Sequence, residues 1–245
     1  MNFIKQVFTI RFDDTKISKS DGIIALIYYL YYLVFLYLFG LLILKTDFHS
    51  KFSVFFTNIH LYKFILYIPV SILSILPIFL ALWYRKQNIK TIGIKFNKLF
   101  QSVLIGLIGS VPLIITSIWG LVSQSKHFQY NISDTVWIFL YYFISIAFIE
   151  EIGFRGFIQS RINGLIKNKW LSILFVGIMF GFMHIPFQML QANMSLIEFI
   201  FYDIQHLIIT VIIHVYLFYL YTRNKNILSS TVAHTLINFI PKIIN

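Results

Sequence analysis

The chain of 245 residues contains no cysteine, which excludes disulfides, thiolate metal sites and a cysteine nucleophile together. Charge is also scarce. Asp, Glu, Lys and Arg supply 12% of the residues against 58% hydrophobic, and the mean hydropathy is +0.80, a balance foreign to ordinary soluble domains. Internal repeats, low-complexity tracts and linker-like stretches are missing too, so nothing divides the chain. Acid is the scarcer charge: nine Asp and Glu stand against twenty Lys and Arg, a formal charge of +11. In a soluble chain that excess would suggest nucleic acid. Here the basic residues sit in short loops between long apolar runs, so they report membrane orientation, and no nucleic-acid partner is expected.

The apolar runs predict an all-α, polytopic transmembrane helical bundle forming a single membrane domain over 1–245. Candidate spans are Ile23 to Leu44, Phe64 to Tyr84, Val103 to Val122, Val136 to about Ser160, Trp170 to Leu190, Leu196 to Tyr221 and Ile227 to Ile240. These make seven spans, or eight if Leu196 to Phe201 forms a separate short helix. The first run is too long for a signal-peptide core and no small-residue cleavage site follows it, so it is expected to be retained. Before it, Phe3, Ile4, Val7 and Phe8 share a helical face beside Lys5, Arg11, Lys16 and Lys19, which predicts a short interfacial segment over Met1 to Ser20. With the N-terminus cytoplasmic, inner segments carry fourteen Lys and Arg and outer segments five, an asymmetry that favours this orientation. Residues 1–122 then comprise the interfacial segment and three spans, and 135–240 a helical core that holds most of the intramembrane polar groups.

Two carboxylates and a guanidinium interrupt the fourth run at Phe148-Ile149-Glu150-Glu151-Ile152-Gly153-Phe154-Arg155. Ionisable groups at such depth are costly and usually functional. Glu151 and Arg155 lie at i, i+4 with the acid first, the favourable order for a helical ion pair. Glu150 points about 100° away and lacks that partner, so it can serve as a proton acceptor. The structural alternative is a buried Glu-Arg staple beside a helix end.

In the next run Gly177, Gly181 and His184 share a face whose small residues permit close helix approach, which turns His184 into the bundle. Phe180, one turn earlier, can pack on its imidazole, and Pro186 leaves the carbonyl of Phe182 free. In the last run Ser230, His234 and Asn238 form a polar stripe that must face protein in a lipid environment. Either histidine alone could be a packing residue and the stripe interhelical glue. Depth argues otherwise, because Glu150, His184 and His234 all fall within roughly 10 Å of the midplane at 1.5 Å per residue. Asp203, His206 and His214 could line a substrate path or make structural hydrogen bonds, and His49, His60 and His127 fall in expected loops.

At these residues the sequence resembles the CAAX-protease and bacteriocin-processing family of intramembrane glutamic endopeptidases, also called the Abi family. Its motifs read here as Glu150-Glu151-x-x-x-Arg155, Phe180-x-x-x-His184 and His234-x-x-x-Asn238, in the family's order and in three different hydrophobic runs. The resemblance implies that 135–240 is a catalytic helical core. It implies that Glu150 is the general base activating water, that His184 helps hold that water, and that His234 and Asn238 stabilise the oxyanion. Glu151 and Arg155 would support and tune Glu150. It further implies a bacterial cytoplasmic membrane location, no metal cofactor and a membrane-associated peptide or protein substrate. Three alternatives stand beside it. A zinc hydrolase would use Glu150, His184 and His234 as ligands. A non-catalytic scaffold or immunity protein would bind a bacteriocin, a sensor kinase or a peptide exporter. A transporter would relay protons through the same groups, although no paired halves are visible.

Overall fold

The computed structural model describes residues 10, 17–123 and 127–244, so the expected interfacial segment falls largely outside the described residues. Among the described residues every extended element is helical, with one isolated antiparallel bridge between Phe128 and Ile244. The helices are α1 (Lys19–Leu44), α2 (Phe48–Ser53), α3 (Ile59–Tyr84), α4 (Leu99–Ser123), α5 (Ile132–Ile162), α6 (Lys169–Met183), α7 (Ile185–Ala192), α8 (Leu196–Tyr202), α9 (Ile204–Thr222) and α10 (Ile227–Ile243). Their starts follow from local chemistry. Asn58, Asn131, Asn168 and Asn226 cap α3, α5, α6 and α10 with side-chain oxygens that accept backbone N–H groups, and Ser18 closes a capping box with Asp21 on α1. A similar box, Ser195 with Glu198, starts α8, and the Ser195 N–H holds the Glu198 carboxyl below its usual range.

By length and composition five helices can cross a bilayer: α1, α3, α5, the continuous pair Lys169–Ala192 and α9. Counting the two parts of the bent α4 as one span gives six. The expectation of seven or eight differs at two elements. Helix α10 has seventeen residues and buries Ser229, Ser230, Thr231, His234 and Thr235, so it is a core helix with a polar face turned inward. Helix α8 is separate, as the eight-span alternative supposed, but its seven residues rise only about 10 Å.

Lipid-facing and buried surfaces divide along each long helix. On α1, Ile27, Leu30, Val34 and Leu38 are exposed at helical spacing while Tyr28, Tyr29 and Tyr32 are buried. The buried tyrosines join Phe154, Phe157, Met179 and Phe180 in the main core, and Tyr29 Oη donates to the Met179 carbonyl at 2.9 Å, tying α1 to α6. Glycine lets α4 approach α10: a Cβ on Gly106 would lie 2.6 Å from Val232 Cβ and 2.7 Å from the Ser229 carbonyl oxygen. One end of the bundle is laced by polar contacts. Arg85 Nε donates to Asp21 at 2.9 Å, and the buried Arg161 donates to Gln87 Oε1 and Thr91 Oγ1 at 2.8 Å each.

The α4–α10 contact predicts that Gly106→Leu lowers the thermal unfolding midpoint in detergent, at a cost of about 1–3 kcal/mol from overpacking. Leu107→Ile, on an exposed side chain, should leave the midpoint unchanged. Equal midpoints for the glycine variant and the parent would refute the close approach.

Candidate active site

Helix α5 does not keep one pitch. Tyr141–Phe148 and Ile152–Ile158 are wound as π-helix, and between them the three residues Ile149–Glu151 return to the α form. Such widened turns are rare and occur often at functional sites. Small residues let neighbours press on the second π stretch: a Cβ on Gly153 would meet Tyr28 Oη at 3.1 Å, and one on Gly156 the Ile92 carbonyl oxygen at 2.5 Å. The acid pair is therefore presented from a segment held on both sides by α1 and the Ile89–Ile92 turn.

Glu151 and Arg155 have no exposure, and Arg155 Nη1 lies 3.0 Å from Glu151 Oε1, the ion pair expected from the spacing. The guanidinium carbon of Arg155 sits 4.1 Å from the centre of the Phe180 ring, a cation–π contact on its open face. The same Oε1 accepts a hydrogen bond from His234 Nδ1 at 2.9 Å. A carboxylate can only accept, so the ring carries a proton at Nδ1 and turns Nε2 toward Glu150, whose Oε2 is 3.7 Å away. His234 thus bridges two adjacent acids through its two nitrogens. Glu150 has no guanidinium partner, and its Oε2 makes no hydrogen bond among the described residues.

Glu150 opens onto a cavity of about 560 Å³ whose wall includes His184, His206, Asn238, Tyr32, Tyr141 and Gln188. His184 stands at the break between α6 and α7, beside Pro186, with its ring 5.4 Å from Phe180. Phe180 also faces His234 at 6.2 Å, so one aromatic ring orders both histidines and the guanidinium. Gly177 and Gly181 receive Val211 and the Leu207 carbonyl from α9, as the small-residue face implied. All six residues singled out from the motifs therefore lie in or against one site.

Sequence reasoning left His206 between a structural hydrogen bond and a place on a substrate path. Its Nδ1 pairs with Asp203 at 2.8 Å, and it lines the cavity with its ring 5.8 Å from His184. His214 is buried against Gln159 at 3.3 Å. The cavity tyrosines were missed, since aromatic residues in apolar runs carry no site signal of their own. Among the described residues no group of three His, Cys, Asp or Glu side chains is placed to hold a metal ion.

Apolar spanning helices with a charged cavity sunk between them define a multi-pass membrane protein with an internal polar site. Within that class, a family model described as type II CAAX prenyl endopeptidase Rce1-like matches residues 132–240 of the chain. The matched segment carries the acid pair, Arg155, both motif histidines and Asn238. No curated protein and no solved structure matches the chain.

If the Glu151–Arg155 pair holds the site together, Arg155→Met leaves a buried carboxylate without its cation and costs about 3–5 kcal/mol. Glu151→Gln combined with Arg155→Met should cost less than the two single changes added, measured by unfolding in detergent as a double-mutant cycle. Strict additivity would show that the two groups do not interact.

Proposed function

We propose that this protein is an intramembrane endopeptidase that hydrolyses membrane-associated peptides or proteins with water activated by Glu150. Glu150 takes a proton as the water oxygen attacks the scissile carbonyl carbon. The Asn238 amide donates to the oxyanion, as does His234 Nε2 once that nitrogen also carries a proton, and the C–N bond then breaks with the proton on Glu150 passing to the leaving amine. His184 orients the water from the opposite wall. Glu151 and Arg155 act through His234 and the helix, holding the imidazole in the orientation that turns Nε2 toward the reaction. Residues 135–240 form the catalytic core, the cytoplasmic membrane of a bacterium is its site of action, and the N-terminus is cytoplasmic. No step requires a metal ion.

The observation that carries this reading is the division of labour between adjacent acids. Glu151 is engaged through Oε1 by Arg155 and His234 and has no exposure, while Glu150 reaches the cavity beside an imidazole nitrogen with no cation of its own. A structural staple needs only the first acid. The family match supports the reaction class, and its description names prenyl endopeptidases.

Glu150→Gln keeps shape and volume and removes the base. Detergent-purified Glu150→Gln should fold with the parent's stability and cleave membrane-associated peptides more than about a hundredfold more slowly. His234→Ala should lower the rate as well as the stability, because Glu151 loses a hydrogen bond. Full cellular activity of the Glu150→Gln protein would instead identify a scaffold that binds a peptide, an exporter or a sensor kinase.

A further inference from the structure

We propose that the Glu150 cavity is reached from the membrane face that the basic residues assign to the outside, so that the substrate is a peptide segment exposed on the non-cytoplasmic side. The inference rests on the hydrolase reading for the word substrate, but its geometry stands apart from it.

From Glu150 the cavity runs in one direction along every helix that lines it. On α1 its wall climbs from Tyr32 to Phe39, on α3 from Ser74 back to Tyr67, and on α5 from Glu150 back to Tyr141. A second cavity of about 590 Å³ shares Tyr67, Tyr141, Tyr142, Phe187 and Gln191 with the first and continues to Thr46, His49 and Ser50 in the connection after α1. The two form one path from the acid to the end of the bundle where α1 and α10 finish and α3 and α5 begin. Two cross-links at that end join residues that line neither cavity: Asn58 Nδ2 donates to Asp134 at 2.6 Å and Lys45 Nζ to Asn193 at 3.0 Å.

The opposite end is closed. Asp21, Arg85, Gln87, Thr91 and Arg161 form a continuous hydrogen-bonded net across α1, α3, the following turn and α5. Helix α1 also packs without a gap against the end of α5, since a Cβ on Gly22 would strike Leu165 Cγ at 2.5 Å and one on Gly164 would collide with the Ser18 carbonyl oxygen. No peptide passes there without unmaking the net.

Charge orients the two ends. Among the described residues, segments at the closed end carry eleven Lys and Arg and those at the open end four, which puts the closed end in the cytoplasm. Two of the outer four, Lys63 and Lys242, line the second cavity. Their position belongs to the path itself, which makes the residual asymmetry steeper.

The absence of native cysteine makes the test direct. Single variants Ser50→Cys and Gln191→Cys mark the path, where both side chains are exposed, and Lys90→Cys and Lys167→Cys mark the closed end. Full-length protein in intact bacterial spheroplasts is treated with a membrane-impermeant maleimide, then again after detergent lysis. The first pair should label before lysis and the second pair only after it. Labelling of Ser50→Cys and Gln191→Cys only after lysis, or of Lys90→Cys and Lys167→Cys before it, overturns the proposal. A variant that fails to reach the membrane is replaced by its pair-mate. Labelling needs no turnover, so this result and the loss of cleavage in Glu150→Gln succeed or fail separately.

Discussion

A guanidinium with no contact with solvent is the constraint on which the rest of the structure depends. A buried Arg155 must be neutralised and covered, because an unpaired ion in a dry interior costs several kcal/mol. Glu151 neutralises it from one turn earlier on the same helix, and Phe180 covers it from α6. The carboxylate that does this has an oxygen to share, and His234 on α10 takes it. Three helices are thereby referred to one charge. Glu150 stays outside the arrangement although it is the next residue in the chain, and that exclusion leaves an acid available for chemistry.

Much of this was legible because it is local. The Glu151–Arg155 pair, the Phe180–His184 contact and the Ser230–His234–Asn238 stripe are all spaced within one or two helical turns, where sequence distance is nearly spatial distance. The bridge from His234 to the two acids was not legible, since it joins residues on helices far apart in the chain and no spacing rule reaches across them. Nor was the π winding of α5, because a periodicity argument assumes 3.6 residues per turn from the outset. Helix α10 was counted as a span for a related reason. Its apolar residues pack against neighbouring helices, and hydropathy alone does not distinguish that surrounding from lipid.

The bundle is asymmetric from end to end, and the asymmetry is built from different materials. One end uses side-chain hydrogen bonds among Asp21, Arg85, Gln87, Thr91 and Arg161 together with close glycine contacts. The other is lined by tyrosines, glutamine and lysines around open space. The site lies between these regimes, with Arg155 and Glu151 on the packed side and Glu150 on the open side. An acid in the packed region would be a staple, and one at the mouth would be hydrated. Position along the helix, more than residue type, separates the two neighbouring glutamates.

The aromatic cover on Arg155 also decides how the site responds to its medium. Mobile ions weaken charge interactions at a surface over about 8–10 Å at ordinary ionic strength, and they act much less on pairs from which solvent is excluded. With Glu151 and Arg155 both without exposure beneath Phe180, fixed protein charges dominate the field on the Nδ1 side of the bridging imidazole. Added salt therefore loosens the hold of Glu151 on this histidine far less than it would loosen a pair at the surface.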